Sequence, residues 1–392
     1  MIIWIVALLG VGALWIMLWF ARLSGWNPAP RGGSLESSSA WSVSVVIPAR
    51  NEESNVQACL EGFRGQGDAS LQLLVVDDGS TDATESRVRT AQKCDSRIQL
   101  IHASSRSEGW SGKTWALTEG VKATTGEWLL FCDADTVVAG DALQCAQRRV
   151  EDENLDCLSI IPQMVSTRVS VSMLVAGLAL ARAIFFRPTS PGNPGMTQGA
   201  FLVVRRSAFE SVGGFSAVRG SLLEDVEFGS ILCKSGFKVC TLAASSVIRT
   251  TMYASFPEAW AGICKFAYPV MGYSGLRVLT STAVCMGMVF FPLVSLFVGV
   301  AQGCRASPPQ WSMAMAIVSF VVTALMYAVM GRVVMRESLR PEAVPLLPVS
   351  LCCFGALAVH SIYAYRYGRV TGKGRQYEQH VVPLGSPPED LT

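Results

Sequence analysis

Four long apolar segments constrain the fold of this chain more than any other feature of its sequence. They are Ile2 to Phe20, Val278 to Ala301, Trp311 to Met330 and Val344 to Tyr365. A helix needs roughly 20 apolar residues to cross a bilayer core, so each segment is long enough to span a membrane. The first has no basic stretch before it and no clear cleavage site after it, which favours an anchor over a removed signal peptide.

Basic residues between the apolar segments predict which side of the membrane the loops occupy. Arg22 follows the first segment, and Arg332 and Arg336 lie between the last two. Cytoplasmic loops are enriched in Lys and Arg, so the chain is predicted to be a multi-pass cell-membrane protein with its central block in the cytosol. Three spans after that block would leave the basic tail outside. Either Val344 to Tyr365 is a hairpin or one span is miscounted.

Composition supports a membrane protein with a globular domain between its spans. Only 16% of the 392 residues are charged, against roughly 25% in soluble domains. The segments predict an anchor at 1–22, a globular domain at 40–277, membrane helices at 278–366 and a polar tail at 367–392. Val169 to Phe186 is apolar but contains Arg182, so we expect a core or interfacial helix there. A net charge of +2 argues against nucleic acid as a partner.

The globular block alternates predicted strands and helices. Apolar strands are expected at Val43 to Ile47, Leu71 to Val76, Ile98 to Ile101 and Trp128 to Cys132. The first helix is expected directly after Asn51, and Asp82-x-x-Glu85 has the spacing of a capping box for the next one. This alternation predicts an α/β fold with a doubly wound, mainly parallel sheet, which binds ligands beyond the carboxyl ends of its strands.

Acidic residues follow three of those strands. The strand ends read Pro48-Ala49-Arg50-Asn51-Glu52, Asp77-Asp78 and Asp133-Ala134-Asp135. Carboxylates gathered at one place repel one another, and a divalent cation relieves that cost. Oxygen ligands together with substrate phosphates suit Mg²⁺ or Mn²⁺, and alternate strand residues point the same way, as Asp133 and Asp135 would. Asp-x-Asp is equally typical of a solvated turn or of the cap of the next helix.

The segment Gly109 to Trp115 contains Gly112-Lys113-Thr114, part of a phosphate-binding loop. The complete motif needs a glycine five residues before Gly112, where Ser107 stands, so the motif fails. A glycine-rich turn that brings Lys113 to a helix N-terminus still suits a phosphate contact. Lys113 is alternatively an ordinary exposed lysine.

A second acidic group, Glu224 and Asp225, opens a predicted helix near residue 224. Carboxylates in a first helical turn commonly interact with the helix dipole, and the alternative is a general base. Gln198, before the predicted strand Phe201 to Val204, lies either at a pocket edge or in a turn.

Taken in order, these segments resemble the family 2 glycosyltransferases, which have the GT-A fold. The resemblance covers roughly residues 43–244 and rests on five segments, which are VSVVIPARNEE, LLVVDDGSTD, GWSGKTWALTEGVKATTGEWLLFCDAD, QGAFLVVRRSAFESVGGF and LLEDVEFGSILCKSGFKV. The GWSGKTWA segment and the flanking membrane helices resemble the subgroup that includes hopanoid-associated and carotenoid glycosyltransferases. Processive members carry Q/R-x-x-R-W after the base. Arg249-Thr-Thr-Met-Tyr253 lacks the Arg-Trp pair, which favours transfer of a single sugar.

The resemblance implies a role for each acidic segment. Nucleotide-sugar contacts, with a UDP-sugar as the expected donor, are implied for Pro48, Ala49, Arg50, Glu52, Asp77, Asp78, Lys113, Asp133 and Ala134. It implies that Asp133 and Asp135 bind Mg²⁺ or Mn²⁺. Asp225, paired with Glu224, would be the catalytic base of an inverting transfer to a lipid-embedded acceptor.

Two other classes of protein compete with this interpretation. A membrane transport ATPase is suggested by Gly112-Lys113-Thr114, but the first glycine and a convincing Walker B aspartate are lacking. A catalytically silent GT-A-like membrane scaffold would keep the fold and bind no sugar nucleotide.

Overall fold

The computed structural model of the protein describes residues 2–22, 41–66, 70–185, 195–243, 247–368, 371–372 and 375–376. The chain divides into two compact units. A helical unit takes in the described residues up to 22, from 165 to 185 and from 253 to 372, and an α/β unit takes in the others. Most of the predicted tail at 367–392 lies outside the described residues.

The α/β unit contains nearly all of the strands. In chain order they are β1 Ser42–Ala49, β2 Ser70–Asp77, β3 Ile98–His102, β4 Trp128–Cys132, β5 Thr136–Val138, β6 Cys157–Ile161, β7 Gln163–Met164, β8 Phe201–Arg205, β9 Val239–Ala243, β10 Ile248–Thr250, β11 Thr371–Gly372 and β12 Arg375–Gln376.

The α-helices are distributed over both units. In chain order they are α1 Ile2–Met17, α2 Val56–Arg64, α3 Thr84–Cys94, α4 Gly112–Val121, α5 Ala142–Glu153, α6 Val169–Phe185, α7 Arg206–Ser211, α8 Glu224–Lys234, α9 Phe256–Val270, α10 Gly275–Gly303, α11 Gln310–Arg336 and α12 Leu347–Arg366. A π-helical turn, Leu18–Arg22, follows α1, and 3₁₀ turns occur at Gly214–Val218 and Pro341–Ala343.

The main sheet of the α/β unit has the predicted doubly wound, mainly parallel arrangement. In the described part of the chain its strand order is β3-β2-β1-β4-β8-β6-β9. The strands β3, β2, β1 and β4 run parallel, while β8 is antiparallel to both of its neighbours. The carboxyl ends of β2, β1 and β4 therefore meet at one edge. A smaller sheet, β5-β10-β7, accompanies the main one.

Both faces of the main sheet are covered by apolar side chains. Val45 and Ile47 of β1 pack with Phe63 of α2 in one buried cluster. Val46, the residue between them, packs with Leu117 of α4 in another. Successive strand residues point to opposite faces, so a continuous apolar strand supplies two cores at once. This explains why the strands appear in the sequence as uninterrupted apolar segments.

The starts of α2 and α3 differ from the predictions made for them. The helix predicted directly after Asn51 begins at Val56, because Glu52 instead closes a turn in which its carbonyl accepts the N–H groups of Asn55 and Val56. The predicted capping box of Asp82 and Glu85 is also wrong. Asp82 accepts the N–H of Thr84 at 3.0 Å, a side-chain bond two residues along the chain that forms a turn before the helix.

The helical unit contains the four predicted membrane segments. In the described part of the chain, four helices are long and apolar enough to cross a membrane, over Ile2–Phe20, Gly275–Gly303, Gln310–Arg336 and Leu347–Arg366. At Gly299 of α10 a side chain would meet the backbone of Ala316 in α11, with a Cβ only 2.8 Å from its nitrogen. A residue without a side chain thus allows close helix packing, as is common among membrane helices.

The last apolar segment was predicted to be either a hairpin or a single span. Residues 347–366 form one continuous helix, so the hairpin considered for Val344 to Tyr365 is wrong.

The helix α6 has 17 residues and is shorter than the four candidate spans. Its Arg182 makes an ion pair with Glu337 at 2.5 Å, and both side chains are nearly buried. The pairing explains how an arginine is tolerated among apolar residues.

Candidate active site

The strand order places three acidic segments beside one another. Ala49 pairs with Asp77 between β1 and β2, and Val46 pairs with Phe131 between β1 and β4. Continuing the second register by three residues sets Ala49 level with Ala134. The ends of β2, β1 and β4 therefore carry Asp77, Arg50 and the Asp133 segment at one edge of the sheet.

We call Arg50, Glu52, Asp77 and Asp78 the strand-end cluster. Arg50 donates to the carbonyl oxygen of Asp78 at 2.6 Å, and its guanidinium lies 3.8 Å from the Asp78 carboxylate. The carboxylate of Glu52 accepts the side-chain amide of Asn55 at 2.8 Å. Backbone and hydrogen-bonding side chains thus hold the positions of these groups.

Asp77 connects the cluster to two residues that sequence reasoning missed. Its buried carboxylate accepts the N–H of Ser80 at 3.1 Å. His102 lies beside it, with Nδ1 3.8 Å from Asp77 and Nε2 3.7 Å from Glu85. The pairing of Asp77 with His102 between β2 and β3 follows from the register. The sequence signal that could have indicated His102 is its position as a polar residue directly after the predicted strand Ile98 to Ile101.

Asp77, Glu85 and His102 form a candidate metal site by proximity, since their ligand atoms lie within 4.8 Å of one another. The two ring nitrogens of His102 face different carboxylates, and Glu85 also pairs with Arg89 at 2.7 Å. His102 and Arg89 thus already lie beside these two carboxylates.

We call Lys113, Asp133, Glu224 and Asp225 the acidic centre. Lys113 Nζ lies 2.7 Å from Asp133 Oδ1 and 3.0 Å from Glu224 Oε1. Three elements supply these side chains, because Lys113 is in the first turn of α4, Asp133 follows β4 and Glu224 begins α8. Residues that are far apart in the sequence are therefore in direct contact.

The carboxylate of Asp225 lies next to this ion-paired group. Its Oδ2 accepts the N–H of Gly199 at 2.7 Å, and its Oδ1 accepts the N–H of Val226 at 2.8 Å. A Cβ at Gly199 would lie 3.1 Å from Lys113 Nζ and 3.6 Å from Asp225 Oδ2. The missing side chain at Gly199 leaves room for the ammonium and carboxylate groups. The neighbouring Gln198 donates its backbone N–H to Ser159 Oγ.

The helix α4 holds the backbone of Lys113 in place. Ser111 caps the helix by accepting the N–H of Thr114 at 3.1 Å. The carbonyl of Arg219 accepts both the N–H of Ser111 at 2.8 Å and the hydroxyl of Thr114 at 2.7 Å. The prediction that Lys113 stands at a helix N-terminus is confirmed.

Charge and burial shift the pKa values within the acidic centre. Burial raises the pKa of Asp225 to about 7, assisted by Glu224 and opposed by Lys113 and the two backbone N–H donors. Burial alone would lower the pKa of Lys113, but attraction by Asp133, Glu224 and Asp225 raises it well above its ordinary value. Asp225 therefore titrates near neutral pH while Lys113 stays charged.

The Asp133-Ala134-Asp135 segment provides oxygen donors suited to a divalent cation. Ala134 is buried, and the carbonyl of Asp133 accepts the N–H of Thr136 in the turn after β4. The Asp133 side chain is 29% exposed and pairs with the Lys113 ammonium, which it shares with Glu224. Carboxylates that gather around a positive charge fit Mg²⁺ or Mn²⁺ by their chemistry. The solvated-turn interpretation explains the backbone but not the ion pair.

A doubly wound sheet binds its ligands beyond the carboxyl ends of its parallel strands, which is where these charged side chains lie. The family model described as Glycosyl transferase family 2 matches residues 44–213. Putative glycosyltransferase EpsH of Bacillus subtilis (strain 168) is 29% identical over 111 residues, which are 28% of this chain and 31% of that protein. The chain spans about a third of the length of the curated relatives with which it aligns in this way.

Two further proteins are similar over most of the chain. The 4,4'-diaponeurosporenoate glycosyltransferase of Staphylococcus aureus (strain USA300) is 23% identical over 347 residues, covering 86% of this chain and 88% of that protein. The mannosyltransferase PcManGT from Pyrobaculum calidifontis, solved with GDP-Man and Mn²⁺, has a TM-score of 0.51 at 16% identity, covering 93% and 97%. This structure supports the GT-A fold. Residues 44–213 thus match a family 2 glycosyltransferase domain, in agreement with the predicted family, and the predicted GT-A fold is confirmed.

Proposed function

We propose that the protein is an inverting, metal-dependent glycosyltransferase that moves one sugar from a nucleotide sugar to a lipid-embedded acceptor. The observation that carries this proposal is the convergence of Asp133, Glu224 and Asp225 around Lys113. Lys113 and Asp133 lie within residues 44–213, which match the family 2 model, and Glu224 and Asp225 follow that segment. The described part of the chain also has four candidate membrane spans.

The strand-end cluster is the proposed site for the nucleotide of a UDP-sugar. Pro48, Ala49 and Arg50 would line the pocket, and Glu52, Asp77 and Asp78 would accept hydrogen bonds from base and ribose. Because Arg50 and backbone donors already hold the cluster, binding needs little rearrangement there. Lys113 at the start of α4 would contact the diphosphate, and Ala134 would lie against the donor.

The proposed ligands of Mg²⁺ or Mn²⁺ are Asp133 and Asp135. When bound, the cation would act as a Lewis acid that stabilises the charge developing on the departing nucleoside diphosphate. The mannosyltransferase with the same fold was solved with Mn²⁺ and GDP-Man, which is consistent with this proposal.

Asp225 is the proposed general base. Its pKa of about 7 lies near physiological pH, where a base is most effective. The N–H groups of Gly199 and Val226 orient the carboxylate, and Glu224 holds Lys113 beside it. As the acceptor oxygen forms a bond to the anomeric carbon, the bond from that carbon to the diphosphate oxygen breaks. The acceptor proton passes to Asp225, and a single in-line displacement inverts the anomeric centre.

The candidate membrane spans favour an acceptor that is dissolved in lipid. A sugar nucleotide is water-soluble, so anchoring the catalytic domain is useful chiefly when the acceptor lies in the bilayer. The similar protein from Staphylococcus aureus is named for a carotenoid acid, 4,4'-diaponeurosporenoate. We propose an isoprenoid or glycolipid acceptor such as a hopanoid or carotenoid, with the 40–277 domain on the cytosolic side of the cell membrane.

Mass spectrometry of lipid extracts tests this function. Cells that express the wild-type chain should contain a lipid heavier by one sugar residue, and cells that express Asp225→Asn should lack it. The purified protein should also bind UDP in the presence of Mn²⁺. Unchanged lipids together with no nucleotide binding would instead support the catalytically silent scaffold.

A further inference from the structure

We propose that Lys113 is an internal counter-ion that occupies the acidic centre until the donor binds, so that cation and nucleotide bind as a coupled pair. This inference rests on the proposed function, because it assigns the order in which the ligands of that same site enter. Lys113 would be a positioning residue whose ammonium leaves the carboxylates and pairs with the diphosphate of the donor.

The first argument is the geometry of the ammonium group. Lys113 Nζ is in direct contact with Asp133, a proposed metal ligand, and with Glu224 on the opposite element. A divalent cation at Asp133 would stand close to that ammonium, and like charges at such separation repel strongly. The ammonium must therefore leave Asp133 before the cation can bind favourably.

The second argument concerns how Lys113 can leave. Lys113 Nζ has the Asp133 carboxylate on one side and the Glu224 carboxylate on the other, so leaving both without a new partner would cost these two ion pairs. The ammonium needs another anion, which the diphosphate of the donor supplies.

The third argument is that only the side chain has to move. Ser111 and Arg219 fix the start of α4 through three hydrogen bonds, so the backbone of Lys113 can remain in place. A lysine side chain has a flexible four-carbon stem, so its ammonium can change ion-pair partners while its helix stays in place. The Cβ-free position at Gly199 leaves space beside it.

These arguments predict a reciprocal coupling between metal and nucleotide. Without nucleotide, the cation competes with Lys113 for Asp133 and binds weakly. With nucleotide, Lys113 is drawn to the diphosphate and the same carboxylate becomes available. Replacing Lys113 by a neutral residue should therefore strengthen binding of the metal alone while weakening the coupling.

Electron paramagnetic resonance of free Mn²⁺ tests the proposal on the full chain in detergent micelles. Mn²⁺ is titrated into wild type, Lys113→Met and Lys122→Met, each alone and with UDP or GDP. Lys122 is the matched control, since it is an exposed lysine at the end of α4 that pairs with Glu119. If Lys113→Met does not fold, Lys113→Gln replaces it, keeping hydrogen-bond donors without the charge.

The proposal expects Lys113→Met to bind Mn²⁺ alone at least about tenfold more tightly than wild type, because a competing charge in direct contact is removed. Addition of nucleotide should tighten Mn²⁺ binding by wild type and Lys122→Met, but much less by Lys113→Met. Equal or weaker binding of Mn²⁺ alone by Lys113→Met overturns the inference. If wild type retains no Mn²⁺ with either nucleotide, the proposed function itself fails.

Discussion

The strand-end cluster and the acidic centre are both parts of the α/β unit, yet they hold their charges in different ways. In the strand-end cluster, Asp77 accepts a backbone N–H and Arg50 holds the Asp78 end of β2. In the acidic centre, one lysine on a flexible side chain contacts two carboxylates and attracts a third.

This difference indicates what each region is built to do. A cluster whose charged groups are already hydrogen-bonded keeps its shape, and a fixed shape suits selective recognition of a ligand. A centre in which acids outnumber the one contacting cation retains a strong attraction for further positive charge. We expect substitutions in the first region to change donor affinity and substitutions in the second to change turnover.

The largest effect is expected for Asp225→Asn. The amide has nearly the same shape but cannot take the acceptor proton, so turnover should fall at least about 100-fold, the scale of a general base. Transfer of radiolabelled sugar to extracted lipid measures it. Asp156→Asn is the control, because that carboxylate accepts the Lys238 N–H outside both clusters. Near wild-type turnover by Asp225→Asn would show that Asp225 is not the general base.

A comparable effect is expected for Asp135→Ala, which deletes a proposed metal ligand. Turnover should fall at least about 100-fold, since stabilisation of the leaving group is lost. Mn²⁺ binding with nucleotide present should weaken in parallel. Full Mn²⁺ affinity in this variant would contradict the assignment of Asp135.

The pH dependence should come from the acidic centre and be smaller. Asp225 must be ionised to act as a base, so kcat/KM should rise through about pH 7 and fall about tenfold per unit at lower pH. Because Glu224 raises the pKa of Asp225, Glu224→Gln should move the midpoint to lower pH. A midpoint that stays in place in this variant would assign the titration to another group.

In the strand-end cluster, Asp78→Asn should act on donor binding. Loss of a charged hydrogen-bond acceptor should raise KM for the nucleotide sugar about tenfold and leave kcat nearly unchanged. Steady-state kinetics with varied donor measures both constants. Asp95→Asn, which breaks a pair with Arg97 outside both clusters, is the control. A large loss of kcat would show that the two regions are not separable.

The smallest effect is expected for Gly199→Ala. The added Cβ would lie 3.1 Å from Lys113 Nζ, and the flexible ammonium can yield by a few tenths of an ångström. We expect a loss of turnover of up to about tenfold from slight misplacement, with donor KM unchanged. Gly65→Ala is the control, because a Cβ there meets nothing within 4 Å. A raised donor KM would contradict the separation of the two regions.

Five strands of the main sheet and the candidate spans could be predicted because their signals are local. An apolar strand in a sheet covered on both faces and a membrane-length helix each leave an unbroken apolar segment in the sequence, and each was located within a few residues. The capping box at Asp82 and the start of α2 could not be predicted in this way. There, turn hydrogen bonds of Glu52 and Asp82 compete with helix capping, and residue types alone do not decide that competition.

The sequence by itself determined five strands of the main sheet, the four membrane-length segments and the acidic residues after the strands, because these follow from neighbouring residues. Only the tertiary structure decided that Lys113 contacts Asp133 and Glu224, that Gly199 orients Asp225, and that His102 stands beside Asp77. Those contacts join residues separated by tens of positions in the chain. Their distances depend on strand order and register, which no local pattern encodes.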